Sequence, residues 1–102
     1  MVRMLFNDAQ TLVLCALANG PLHGYAINTS IEALTGQRLG PGSLYGALAR
    51  LEGKQLIEPV EGQGRQRPVR LTAAGRQVLQ DELMAMQRLA AAGLRNLGVN
   101  LS

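Results

Sequence analysis

The sequence holds no tryptophan, one phenylalanine and two tyrosines, so its core has to be aliphatic. Leu and Ala dominate that apolar content, which suits helices better than a β-sandwich. A single cysteine, Cys15, excludes an internal disulfide and is compatible with a reducing compartment. No apolar run approaches the roughly 20 residues of a membrane span. Asp8 and Gln10 interrupt the N-terminal apolar stretch, so a signal-peptide layout is lacking and cytoplasmic residence, without a membrane partner, is expected. One histidine, His23, and one cysteine cannot assemble a metal cluster; a packing or capping role is expected of both, with no metal and no cofactor. Gly40-Pro41-Gly42 and Gly62-Gln63-Gly64 each lack the third glycine and the strand–turn–helix setting of a phosphate cradle. No nucleophile and base stand in a catalytic context, so enzymatic activity is not expected.

What is present fits one small folded domain. The chain has 102 residues, of which 47% are hydrophobic and 17% charged, a globular rather than a disordered composition. A domain of this size buries a modest core and would gain from a partner subunit. Ten basic residues against seven acidic ones leave a net charge of +3, which leans towards polyanions. Placement of that charge carries more weight than its sum.

Leu5, Ala9, Leu12, Val13, Ala16 and Leu17 fall on one face at helical spacing, and Asn19-Gly20-Pro21 stops that helix. Ile27, Ile31 and Leu34 mark one side of a second helix that ends at Gly36. A third begins at Gly40-Pro41-Gly42 and carries Leu44, Leu48 and Leu51 as its apolar stripe. The period then changes. Residues 56–61 and 67–71 are expected as two short strands around the flexible turn 62–66, with Pro59 and Pro68 tolerated because a two-stranded hairpin has only edges. Thr72 is the expected N-cap of a last helix running from about Ala73 to Leu97 and ending near Gly98. The fold class is mainly α with a small β-hairpin (α+β). Residues 1–72 form a winged helix-turn-helix, and residues 73–102 form a long C-terminal helix continuous with it.

The third helix opposes its leucines with Ser43, Gly46, Arg50 and Lys54, flanked by Tyr45 and Ala49. A major groove admits such a helix, and the small residues permit close approach. Ser43 and Tyr45 stand in the first turn, where base edges are reached; Arg50 and Lys54 suit phosphates. A solvated polar face on an ordinary packed helix explains the pattern equally well. The hairpin favours nucleic acid, since Arg65, Arg67 and Arg70 fall close together with no acid between Glu61 and Asp81. A basic loop of that kind releases counterions from a phosphate backbone. Edge protection explains some charge there but not its single sign. Tyr25 can donate its hydroxyl to a phosphate or pack its ring in the core, and its position does not decide.

Leu79, Leu83, Met86, Ala90, Gly93 and Leu97 recur along the last helix in alternating steps of four and three, widened by Leu89 and Leu94. A three-helix core could not cover that stripe, so a homodimer is expected, with Leu5 and Leu12 of the first helix contributing. Folding of the helix back onto its own domain is the plainer alternative.

Two stretches, Leu17-Ala18-Asn19-Gly20-Pro21-Leu22-His23-Gly24-Tyr25-Ala26-Ile27 and Leu39-Gly40-Pro41-Gly42-Ser43-Leu44-Tyr45-Gly46-Ala47-Leu48-Ala49-Arg50-Leu51-Glu52, resemble the PadR-type transcriptional regulators. Leu56-Ile57-Glu58 and Arg70-Leu71-Thr72-Ala73-Ala74-Gly75 continue the resemblance, which covers roughly residues 10 to 80. It implies a dimeric winged-helix repressor whose C-terminal helix makes the dimer, in the family's smaller subclass. It also implies DNA contacts by Tyr25, Ser43, Tyr45 and the basic wing residues. Gly46 departs from the proline usual after that tyrosine, and the aromatic pair common before Leu-Thr is missing. Without tryptophan, the binding of flat aromatic compounds between tryptophans at a dimer centre is not supported.

The expected function is a dimeric repressor on double-stranded DNA at an inverted-repeat operator, with release by a small-molecule effector as an added expectation. Two alternatives stand beside it. One is a winged-helix protein-interaction module without DNA binding. The other is a ligand sensor with its site at the dimer interface, where Met84 and Met86 are adaptable lining or simple packing.

Overall fold

Aliphatic side chains at helical spacing gather three short helices around one core. The computed structural model describes residues 9–61 and 67–99, so Leu5 and the wing turn with Arg65 lie outside the described residues. Its elements in order are α1 (Ala9–Ala16), α2 (Gly24–Thr35), α3 (Pro41–Gly53), β1 (Ile57–Pro59), β2 (Val69–Leu71) and α4 (Ala73–Asn96). The core takes Leu12, Val13, Leu14 and Leu17 from α1 and its end, Ile27 and Ile31 from α2, and Leu44, Ala47 and Leu51 from α3. Ile57 and Leu79 close it from the hairpin and α4. Each of the buried Leu, Ile and Val side chains removed from water stabilises the fold by about 1.5–3 kcal/mol.

Two details differ from the periodic reading. Leu14, off the expected face of α1, is buried as fully as its neighbours, because α1 packs against α2, α3 and α4 together. Leu34 was expected with Ile27 and Ile31 but is 61% exposed near the end of α2, where that helix has passed the core.

The turn between α2 and α3 is fixed by side chain as well as by backbone. Gly36 ends α2 at φ 81°, a left-handed conformation that glycine takes without a Cβ clash, and its N–H donates to Glu32 O at 2.8 Å. Asn28, buried in α2, then grips the far end of the turn. Its Nδ2 donates to Leu39 O and its Oδ1 accepts from Leu39 N, both at 2.8 Å. This amide pairs both backbone groups of the residue before Gly40, the N-cap of α3, and so sets where α3 starts.

β1 and β2 pair antiparallel with Ile57 opposite Leu71, Glu58 opposite Arg70 and Pro59 opposite Val69. The hairpin is not all edge, as a two-stranded reading requires. Leu22 N donates to Val69 O at 3.1 Å and Val69 N to Leu22 O at 2.9 Å, so β2 is paired on both sides. Pro59 stays on the outer strand, and Pro68 precedes β2 with only its carbonyl engaged, by Val60 N at 2.8 Å.

Thr72 joins the wing to α4. Its Oγ1 accepts from Gly75 N at 3.0 Å as the N-cap and donates to Gln55 O at 2.8 Å. Gly75 seats the first turn of α4 directly on the Leu56 carbonyl, leaving no room for a Cβ. Thr11 Oγ1 on α1 donates to Glu82 Oε2 on α4 at 2.7 Å, a second fastening further along. The helix closes as expected near Gly98, at φ 79°, with Val99 N donating to Leu94 O and Gly98 N to Arg95 O, each at 2.9 Å.

Candidate nucleic-acid interface

The start of α2, the outer face of α3 and the base of the wing meet around one open cleft of about 240 Å³. His23, Tyr25, Tyr45, Leu48 and Arg67 are among its lining residues. The local fold explains the meeting. Leu44, Ala47 and Leu51 are buried, which turns Tyr45 and Ser43 outward on α3. Tyr45 lies across Gly24, where an added Cβ would stand 3.1 Å from its Oη, so a glycine at the head of α2 admits the ring. The Leu22–Val69 pairing holds the wing base, and with it Arg67, against the same place.

Tyr25 is 71% exposed and Tyr45 61% exposed, which decides between the two readings of Tyr25: its ring is not core. Both tyrosines carry a hydroxyl that can donate to a phosphate or a base edge, beside a guanidinium. Arg50 lies back along α3 with Nη1 3.4 Å from the position a Cβ on Gly46 would take. Ser43 and Ala49 are exposed on the same helix.

Other candidates are directed elsewhere. Lys54 is the C-cap of α3, and its Nζ donates to Gln10 Oε1 on α1 at 2.8 Å, away from the tyrosine cleft. Arg70 pairs across the hairpin with Glu58, Nε to Oε2 at 2.8 Å, so a wing charge counted as available is met within the hairpin. His23 occupies the N-cap position of α2 but makes no side-chain cap bond there. Burial pushes the Cys15 thiol up, with the Glu82 carboxylate adding to the effect, which fits packing rather than nucleophilic use. Among the described residues no group of three or more His, Cys, Asp or Glu side chains is placed to hold a metal. Nor is any described helix long and apolar enough to cross a membrane.

Sequence pattern passed over Arg38, in the turn before α3. Its guanidinium lies 5.4 Å from the centroid of the Tyr25 ring, itself a lining residue of the cleft. The available signal was a lone cation beside the Leu39-Gly40-Pro41 helix start, too common to single out.

The residues expected at a dimer interface differ in the surface they leave uncovered. Leu12 and Leu79, at 4% and 5% exposure, are taken up by the chain's own core and have almost no surface left to offer. Leu83, Leu89 and Leu97 are 42%, 69% and 78% exposed, and Ala90 is exposed as well. Met86, Gly93 and Leu94 are half-buried, and Leu5 is outside the described residues.

Comparison with known proteins agrees with this architecture. A structure of a transcriptional regulator from Clostridium thermocellum superposes with a TM-score of 0.75 at 24% identity, covering 84% of this chain and 89% of that one. A PadR family transcription regulator from Clostridium difficile gives 0.74 at 23% identity, over 87% of this chain and 97% of that one. At such identities the likeness speaks for the fold alone. The structure of TA0346 from Thermoplasma acidophilum is 32% identical with a TM-score of 0.66, covering 87% of each chain. A 37.1 kDa protein of transposon TN4556 from Streptomyces fradiae is 68% identical over 87 residues, which make up 85% of this chain. The match spans only 25% of that longer protein. The model of the PadR-like transcriptional regulator family matches residues 13–81, from α1 into α4, and the chain belongs to that family.

Proposed function

We propose that the chain binds double-stranded DNA as a homodimer and represses transcription at an inverted-repeat operator. The observation that carries this reading is the convergence of Tyr25, Tyr45 and Arg67 on one open cleft beside the outer face of α3. In this arrangement α3 enters the major groove with Ser43 and Tyr45 at base edges, while Arg67 and Arg65 neutralise backbone charge. Arg70 contributes once a phosphate displaces Glu58, an exposed partner whose pairing is worth little. The exposed Leu83, Leu89 and Leu97 supply the dimer surface, which places two reading heads on one duplex. An effector that releases the operator would sit at that interface, beside Met84.

Anisotropy of a labelled duplex titrated with the full chain at several salt concentrations tests the reading. Affinity should fall steeply as salt rises. Arg67→Ala should weaken binding to all duplexes alike, whereas Ser43→Ala should shift preference between them. No binding at low salt would refute DNA recognition.

A further inference from the structure

The turn that leads into α3 carries a cation held more firmly than its exposure suggests. Arg38 Nη1 pairs with Glu32 Oε1 at 3.1 Å, and its guanidinium rests 5.4 Å from the Tyr25 ring centroid. A long exposed side chain normally spreads over many rotamers, at an entropic cost when a ligand fixes it. Here a ring face and a carboxylate, both on α2, restrict it beforehand. The backbone beneath it is fixed as well, because Asn28 grips both polar groups of the adjacent Leu39. The same Tyr25 lines the cleft shared by Tyr45 and Arg67. Two cations therefore serve these tyrosines, Arg38 from the turn on the Tyr25 ring and Arg67 from the wing base in the shared cleft.

We infer that Arg38 is a DNA-phosphate contact, with Tyr25 as its positioning residue and Glu32 as the anion a phosphate displaces. This rests on the DNA-binding reading above. On docking, the guanidinium exchanges one oxyanion for another and keeps its place on the ring. The Glu32 carboxylate, half its surface in water, is left facing the phosphate and lowers affinity for every duplex equally. Nonspecific association is thereby held down while base readout by α3 is untouched.

The test uses the full chain and two labelled duplexes, one selected from random DNA by the wild type and one scrambled, titrated across salt. Arg38→Ala should reduce the slope of log K against log salt by about 0.9, the value for one phosphate contact, and weaken both duplexes by a similar factor. Glu32→Gln should tighten both several-fold with the slope unchanged. Tyr25→Ala should weaken binding less in an Arg38→Ala background than in the wild type, as a positioning role requires. An unchanged slope in Arg38→Ala, with the wild type binding normally, would overturn the assignment alone. So would a loss confined to the selected duplex, which would make Arg38 a reader of bases. Failure of the wild type to bind either duplex at low salt would remove the DNA reading and this inference together.

Discussion

The winged domain and the far half of α4 obey different rules. Around α1 the aliphatic residues are almost fully enclosed, with Val13, Ile27 and Ile31 at 0% exposure. Beyond Glu82, the same kind of side chain stands in water: Leu89 is 69% exposed and Leu97 78%. The first region satisfies its apolar surface within one chain; the second leaves its leucines uncovered by that chain, the surface on which the proposed dimer rests. Propensity does not cause the difference, since both regions are helical. It comes from geometry, because a helix of 24 residues is roughly 36 Å long and outruns a domain of this size.

The sharpest way to break the comparison is at the joint. Gly75→Ala drives a methyl group into the Leu56 carbonyl, and a fixed backbone cannot step aside. We expect a loss of about 3 kcal/mol in chemical denaturation, at any protein concentration. Leu89→Asp should act in the opposite manner. It should leave the unfolding of a dilute, monomeric chain nearly unchanged, yet abolish the rise of Tm with concentration, weakening association by roughly 2 kcal/mol. Equal effects of the two changes on the dilute chain would mean that the far half of α4 is not separate in its energetics. Thr72→Ala removes the N-cap and the bond to Gln55, and should lower stability by about 1 kcal/mol in thermal or denaturant unfolding.

Cys15 gives the smallest expected effect. Its thiol titrates above the ordinary value in the fold, through burial and then Glu82. Below the ordinary thiol pKa both folded and unfolded states hold the proton, so the group adds no pH dependence there. As pH rises past that value the unfolded chain ionises first and the fold loses stability relative to Cys15→Ala. The difference in Tm between wild type and variant should therefore be flat near neutrality and shift against the wild type in alkali.

Local chemistry was legible in the sequence to a large extent. The leucine stripe of α3, the Thr72 cap and the Gly98 end depend on residues a few positions apart, and the structure keeps all three. What escaped depends on distant partners. Leu22 pairs with Val69 across the whole helix-turn-helix, and Lys54 reaches Gln10 from the other end of the domain. Asn28 is by sequence one polar residue among several between Gly24 and Thr35, and only the folded turn shows that it holds Leu39. The candidate interface divides along the same line. Tyr45 and Ser43 follow from the helical period, whereas Arg38 acquires its place only when Tyr25 and Glu32 are brought beside it. Arg70 shows the same limit, since a count of charges does not reveal that Glu58 faces it across two strands.

Sedimentation of the full chain with a duplex selected by that chain from random DNA tests the central claim most directly. The account predicts two chains per duplex at low salt, dissociation from DNA as salt rises, and one selected sequence made of two inverted half-sites. A complex of one chain per duplex, or free chain and free duplex sedimenting apart at low salt, would contradict it.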